Sequence, residues 1–237
     1  MIILSVDSSA KAAAAAVCDD TKPLSHVFVN TALTHSQTLL TLIDEALKNA
    51  GVQLKDVGLI AVSNGPGSFT GVRIGVSLVK GLAFGRDVMC AGVSTLEAIA
   101  RNTEDFGGVC CAVMDARNNQ VYNALFGIDA TDFKRLTPDR AISTAELRGE
   151  LSFIKERITL AGDGADLAYE QFKDMKNVSI ANDTAKLQNA VSVARAAFYM
   201  YKEGKCVSAE ELSVNYLRLS QAEREYEKKL KGEKTGK

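Results

Sequence analysis

Several things are missing from this chain of 237 residues. There is no basic excess: 28 Lys and Arg stand against 29 Asp and Glu, a formal net charge of -1. General nucleic-acid binding needs a surplus of cations to displace counterions, so it is excluded as the main role. No apolar run approaches the ~18 residues of a membrane span. The opening MIILSVDSSA lacks the basic start of a secretory leader, and a cytoplasmic address is expected. Five cysteines (Cys18, Cys90, Cys110, Cys111 and Cys206) form no C-x-x-C, so neither a disulfide framework nor a zinc site is expected. Most of them lie in apolar, strand-like runs and read as buried, unreactive thiols. His26 and His35 are the two histidines, too few for a His-rich metal site, and no cofactor is expected. What is present, 46% hydrophobic and 24% charged residues, suits one compact soluble domain or two small ones.

Hydrophobic patterning predicts strands over 2–7, 12–18 and 24–30, joined by connections short enough for antiparallel hairpins. The alanine run 12–16 favours helix by propensity. Its short length and turn-like flanks nevertheless read as strand. Thr34-His35-Ser36-Gln37 has the form of a capping box, opening a helix that Gly51 closes. A buried strand over 57–63, a turn at Asn64–Ser68, a helix over 70–84, a strand over 88–92 and a helix over 94–102 follow. This order predicts a mixed sheet flanked by helices in an N-terminal domain of residues 1–104. Residues 109–115 then repeat the opening theme, an apolar strand ending in Asp, and 120–128 return after a turn at Asn118-Asn119. A smaller second domain is expected over 105–217, with a strand at 158–161 and helices over 165–173 and 187–203. From Arg218 a tail carries seven Lys/Arg against four Glu and reads as a solvated, charged end.

The most distinctive stretch is Gly65-Pro66-Gly67-Ser68-Phe69-Thr70-Gly71-Val72-Arg73-Ile74-Gly75. Its place between strand and helix is where anions bind. Yet it matches neither G-x-x-x-x-G-K-[ST] nor G-x-G-x-x-G, because Thr70 stands where the third Gly would be. The structural reading is a tight turn at Pro66-Gly67 and a helix cap at Ser68 or Thr70. Gly71 and Gly75, one turn apart, leave room for another element to approach. Both early helices carry apolar arcs wider than the ~100° that packing on one sheet requires. Such surplus marks a partner surface, unless another part of the chain covers it. Asp7-Ser8-Ser9 and Asp115-Ala116-Arg117 are paired strand-end acidic loops, each Asp being in isolation a common turn residue. His35 and Ser36, adjacent on a helix, point about 100° apart and make a poor nucleophile–base pair for a peptidase.

Asp7-Ser8-Ser9, THSQTLL at 34–40, NGPGSFTGVRIG at 64–75, VSTLEAIA at 93–100 and MDARNNQVY at 114–122 together resemble the TsaB (YeaZ) family of bacterial tRNA threonylcarbamoyladenosine biosynthesis proteins. The resemblance is most specific over 1–123, and Gly162-Asp163-Gly164 and Tyr216-Leu217-Arg218 also suit it. It implies an actin/Hsp70/sugar-kinase-like (ASKHA) fold of two related α/β domains. It further implies a non-catalytic scaffold that supports TsaD, the subunit that transfers threonylcarbamoyl to N6 of adenosine 37 in tRNA, with a TsaE-like ATPase completing the assembly. The TsaD-binding surface would be the first two helices, with Leu39, Leu42, Ile43, Val72, Val76, Val79 and Phe84 as candidate contacts. Which of these turn toward the sheet instead is left open at this point. Without TsaD the same surface would form a homodimer, and tRNA would be met through the complex. The H-x-x-x-H metal pair of the catalytic relative is missing, since His26 and His35 are nine apart, and no Gly-Gly adenosine loop stands out. Loss of chemistry with retention of fold is therefore expected. Asp7, Ser8, Ser9, Gly65, Gly67 and Asp115 would then be vestiges of nucleotide loops. The alternative is an ATP/Mg²⁺-dependent enzyme of the sugar-kinase type, with Asp7 and Asp115 around the metal.

Overall fold

The computed structural model describes residues 1–31, 34–130 and 132–218. The antiparallel strands β1 (Ile2–Asp7), β2 (Ala13–Asp19) and β3 (Lys22–Val29) come first, followed by α1 (His35–Ala50) and a short 3-10 turn at Leu54–Asp56. β4 (Leu59–Gly65), α2 (Phe69–Ala83), β5 (Met89–Ser94) and α3 (Thr95–Arg101) complete the first unit, whose sheet runs β3-β2-β1-β4-β5. β4 lies parallel to β1, and β5 parallel to β4. The second unit has β6 (Gly108–Asp115), β7 (Gln120–Ile128), β8 (Phe133–Arg135), β9 (Arg140–Ser143), α4 (Thr144–Leu151), β10 (Ile158–Ala161), α5 (Ala165–Tyr169), β11 (Val178–Ile180) and α6 (Asp183–Lys186). Its strand order is β8-β7-β6-β10-β11, with β9 on β7. The central strand of each sheet has an antiparallel meander on one side and parallel strands on the other. The topology is thus duplicated, the arrangement expected of two related α/β domains.

The local signals act as expected. The Gln37 side chain accepts from the Thr34 N–H at 3.4 Å, and Gly51 closes α1 in the left-handed region (φ 66°). The Ser94 hydroxyl accepts from the Glu97 N–H at 3.2 Å to start α3. The alanine run is strand β2, and tertiary packing explains why. Ala13, Ala15 and Val17 face the core beneath α1 and α2, while Ala14, Ala16 and Cys18 face α7 (Ala190–Lys202) on the opposite side. Small residues let helices approach both faces of the strand, and that burial overrides helical propensity.

Packing does not follow the expected boundary at residue 217. Helix α7 returns to the first sheet, where Ala190, Val193, Ala194, Ala196 and Ala197 pack on Ile3, Leu59 and Ala61. Residues 207–214 also rest on the first unit through Val207, Ala209, Leu212 and Val214. The expected second domain of residues 105–217 therefore ends, in packing terms, before α7. The helix expected over 165–173 stops at Tyr169, and that over 187–203 spans Ala190–Lys202. Between residues 129 and 157 no element is expected from the sequence, although Ser143 and Glu146 form a capping box before α4. Where the units meet, Arg101 is buried and donates to Glu104 at 2.6 Å and Glu97 at 3.1 Å. Its guanidinium lies over the rings of Phe133 and Tyr199, 4.3 and 4.7 Å from their centroids. The charged tail from residue 219 lies outside the described residues. Among the described residues no helix is long and apolar enough to cross a membrane.

Candidate functional site

The surplus apolar arc of the first two helices divides into an inner and an outer face. On α1, Leu39, Leu42, Ile43 and Ala46 are buried; on α2, Val72, Val76, Val79 and Ala83 are buried. All eight belong to the core over the first sheet. Six of the seven candidate contacts (Leu39, Leu42, Ile43, Val72, Val76 and Val79) therefore face the chain's own strands rather than open solvent. The reason is the 3.6-residue period: these positions share the stripe that covers β1, β2 and β4. Phe84, just past α2, is the exception and is 85% exposed.

The outer face carries different residues. Leu40 is 56% exposed, and Ile74 and Leu78 are half-buried beside it. With His35, Ser36, Leu39, Arg73 and Ser77 they line a groove of about 510 Å³ between α1 and α2. Leu40, Ile74 and Leu78 lay within the arcs visible in the sequence. Only docking of the helices on the sheet separates them from their buried neighbours.

The glycine-rich block acts as a packing device. Ser68 caps α2 by accepting from the Gly71 N–H at 3.3 Å, and its own N–H donates to the Ser9 carbonyl at 2.6 Å. A Cβ on Gly71 would sit 2.1 Å from the Ser8 carbonyl oxygen, and one on Gly75 would sit 2.5 Å from Ser8 Oγ. Gly67 likewise lies against the Ser9 carbonyl. The element that the missing side chains admit is thus the Asp7-Ser8-Ser9 loop, whose carbonyls crowd the start of α2. Gly65 joins Pro66 by a cis peptide bond. Asp7 is buried, with one carboxyl oxygen accepting from Ser9 N (2.9 Å) and Ser9 Oγ (2.8 Å) and the other from the Ser63 hydroxyl. Burial pushes its pKa up, against those hydrogen bonds and the nearby His35. His35 Nε2 bonds the Ala10 carbonyl at 2.7 Å.

The two acidic loops meet across a cleft of about 960 Å³ between the units. Ser9 and Gly67 reach it from the first unit, and Asp115, Arg117 and Asp163 from the second; the buried Asp7 and Ser8 are not among its lining. Asp115 is exposed and accepts from the Arg117 N–H at 2.7 Å. Arg117, Asn118 and Asn119 all have positive φ (61°, 54° and 56°), which Asn tolerates better than most residues. Asp163 is exposed on the cleft wall, yet burial of its carboxyl by the surrounding protein pushes the pKa up to about 6. The Gln188 amide opposes this by donating at 3.2 Å, while Asp115 and Asp7 add repulsion. In the sequence, Gly162-Asp163-Gly164 and Tyr216-Leu217-Arg218 stand out only as stretches that suit the family, and Asp163, Arg117, Tyr216 and Arg218 carry no site role there. Their motifs were visible, but the cleft that gathers them was not.

Comparison with known proteins gives consistent matches. The family model described as TsaD: tRNA N6-adenosine threonylcarbamoyltransferase matches residues 29–232. The chain is 29% identical over 226 residues to the tRNA threonylcarbamoyladenosine biosynthesis protein TsaB of Bacillus subtilis, covering 94% of this chain and 96% of that one. It is 30% identical over 226 residues to TsaB of Escherichia coli, covering 92% and 95%. A crystal structure of a Pseudomonas aeruginosa protein, described as uncharacterized with similarity to peptidase YEAZ, superposes with a TM-score of 0.78 at 25% identity. The superposition covers 92% of this chain and 99% of that one.

Proposed function

The chain belongs to the TsaB (YeaZ) family, and from that premise we propose that it is a non-catalytic, activating subunit in tRNA threonylcarbamoyladenosine synthesis. It binds a TsaD-like catalytic subunit along the outer groove of α1 and α2. The observation that carries this reading is the groove itself: Leu40, Ile74 and Leu78 remain at the surface after both helices have filled the core beneath them. The occupant follows from kinship. A TsaD family model spans residues 29–232 here, so a TsaD-like chain has counterparts of α1 and α2. Two such helix pairs facing each other form a four-helix contact of roughly standard size, ~1,600 Å² in total. When the catalytic subunit is absent, two copies of this chain make the same contact, because a two-fold interface is self-complementary. A TsaE-like ATPase joins the assembly, and tRNA is engaged through it.

An ATP-using enzyme fits less well. Both oxygens of the Asp7 carboxyl are engaged by Ser9 and Ser63, and the Ser8 and Ser9 carbonyls crowd the helix end where a phosphate would otherwise approach. The scaffold reading is tested with Ile74→Asp and Leu40→Asp. Each is expected to stay folded and to lose co-purification with the TsaD-like subunit. Undiminished binding by both folded variants overturns the groove assignment. Calorimetry of the isolated chain with ATP and Mg²⁺ tests the enzyme reading, for which tight binding would be the sign.

A further inference from the structure

After α7 the chain becomes a strap along the first unit. Cys90 and Val207 exchange backbone hydrogen bonds at 2.8 and 2.9 Å, and Lys80 Nζ donates to the Glu210 and Leu212 carbonyls, each at 3.0 Å. Further on, the Asn215 N–H donates to the Asn64 carbonyl at 2.8 Å, and Asn64 Nδ2 donates to the Ser213 carbonyl at 3.0 Å. The strap lies so close here that a Cβ on Gly65 would stand 2.3 Å from the Asn215 carbonyl oxygen. The Tyr216 ring stacks on Phe69, with centroids 4.7 Å apart. Its hydroxyl accepts from Arg73 Nε at 2.5 Å, and the Arg73 guanidinium sits 3.8 Å over the Phe69 ring. Two residues later Arg218 crosses to the second unit. It donates to the Ala116 carbonyl at 2.9 Å and to Gln120 Oε1, both on the β6–β7 hairpin.

These contacts form an unbroken chain between two regions. Arg73 lines the α1–α2 groove. Tyr216 and Arg218 line the cleft, and Ala116 belongs to its far wall. We propose that residues 213–218 are a latch that closes the cleft through Arg218 and, in the same latched state, holds Arg73 in the orientation a partner meets on the groove. The coupling half of this inference rests on the groove being the partner surface; the latch half does not. The physical basis is preorganisation. An arginine already fixed by an aromatic ring and a phenol loses less side-chain freedom on binding than a free one. Linkage then makes the effect reciprocal: a partner that prefers the latched state also stabilises the closed cleft.

The test uses Arg218→Ala and Gln120→Ala in the full chain, the second removing an acceptor without touching the strap. Hydrogen exchange is followed by mass spectrometry, and affinity for the TsaD-like subunit by interferometry. Both variants are expected to exchange faster at residues 116–122 and 213–218, with exchange in β1 and β4 unchanged. Both should bind the partner about two- to fivefold more weakly, the range expected for freeing one or two side chains. Unchanged exchange at the hairpin in both variants overturns the latch. Faster exchange with unchanged affinity overturns the coupling alone. If Ile74→Asp and Leu40→Asp also bind normally, the groove reading has failed instead, and the exchange data still decide the latch.

Discussion

Ser8 Oγ donates to the Gly71 carbonyl at 2.9 Å, tying the loop after β1 to the first turn of α2. The contact exists because neither Gly71 nor Gly75 presents a side chain to that loop.

Gly71→Ala would therefore put a methyl group 2.1 Å from a backbone oxygen that cannot rotate away. We expect a loss of about 2–4 kcal/mol by urea denaturation, as for overpacking with backbone displacement. Gly81→Ala on the same helix meets nothing within 4 Å. It should be neutral or stabilise by up to ~1 kcal/mol through helix propensity. Equal effects at the two sites would show that the loop is not pinned as described.

Val76 and Ile74 are two residues apart but face opposite ways, Val76 into the core and Ile74 toward the groove. Val76→Asp should fail to fold, because an unpaired carboxylate would be buried among Leu and Val side chains. Ile74→Asp should keep the parent circular dichroism spectrum and a thermal midpoint within a few degrees. A Val76→Asp protein that folds as well as the parent would mean the helix faces are assigned wrongly.

Asp163 predicts a pH dependence whose sign follows from its raised pKa. Between its ordinary value of 3.8 and the folded value of about 6, the folded chain holds a proton that the unfolded chain has released. Its contribution to stability is complete below the first value and is lost as pH rises through the second. Asp163→Asn removes this titration and keeps an acceptor for Gln188. The stability of the variant relative to the parent should rise between pH 4 and 6.5 in paired urea titrations. A constant difference across that range would contradict the raised pKa.

Thiol labelling should be strongly graded. Cys18, Cys90, Cys110 and Cys111 are buried, and burial pushes the Cys110 thiol up to about 12 and the Cys18 thiol to about 11. Cys206 is half-buried, its thiol also raised by burial. In native protein one thiol is expected to react with an aromatic disulfide reagent, faster at pH 9 than at pH 7. In denaturant all five should react. Two or more fast thiols in the native state would mean that the core opens around the central strands.

Much of the first unit was legible because its signals are local. Gln37 after Thr34, Glu97 after Ser94 and Gly51 after the last apolar turn each act within a few residues of the element they start or stop. The stretch from 129 to 157 was harder to read. β8 and β9 are three and four residues long, too short for alternation to register, and both exist by pairing with β7. The alanine strand shows the limit of propensity, since Ala13 and Ala14 are held extended by helices packed on opposite faces of the sheet.

The family, the repeated strand-and-Asp-loop plan and the presence of more apolar surface on two helices than one sheet requires are all written in the order of residues. These follow from residue order, which sets caps, turns and period. Tertiary structure alone decided which half of that surface is covered, because Leu39 and Leu40 are equally apolar and differ only in the side of α1 they occupy. It also returned α7 to the first sheet and brought Arg218 to Ala116 across a hundred positions of chain. Such contacts depend on how the two units close on each other, and no local pattern of side chains encodes that distance.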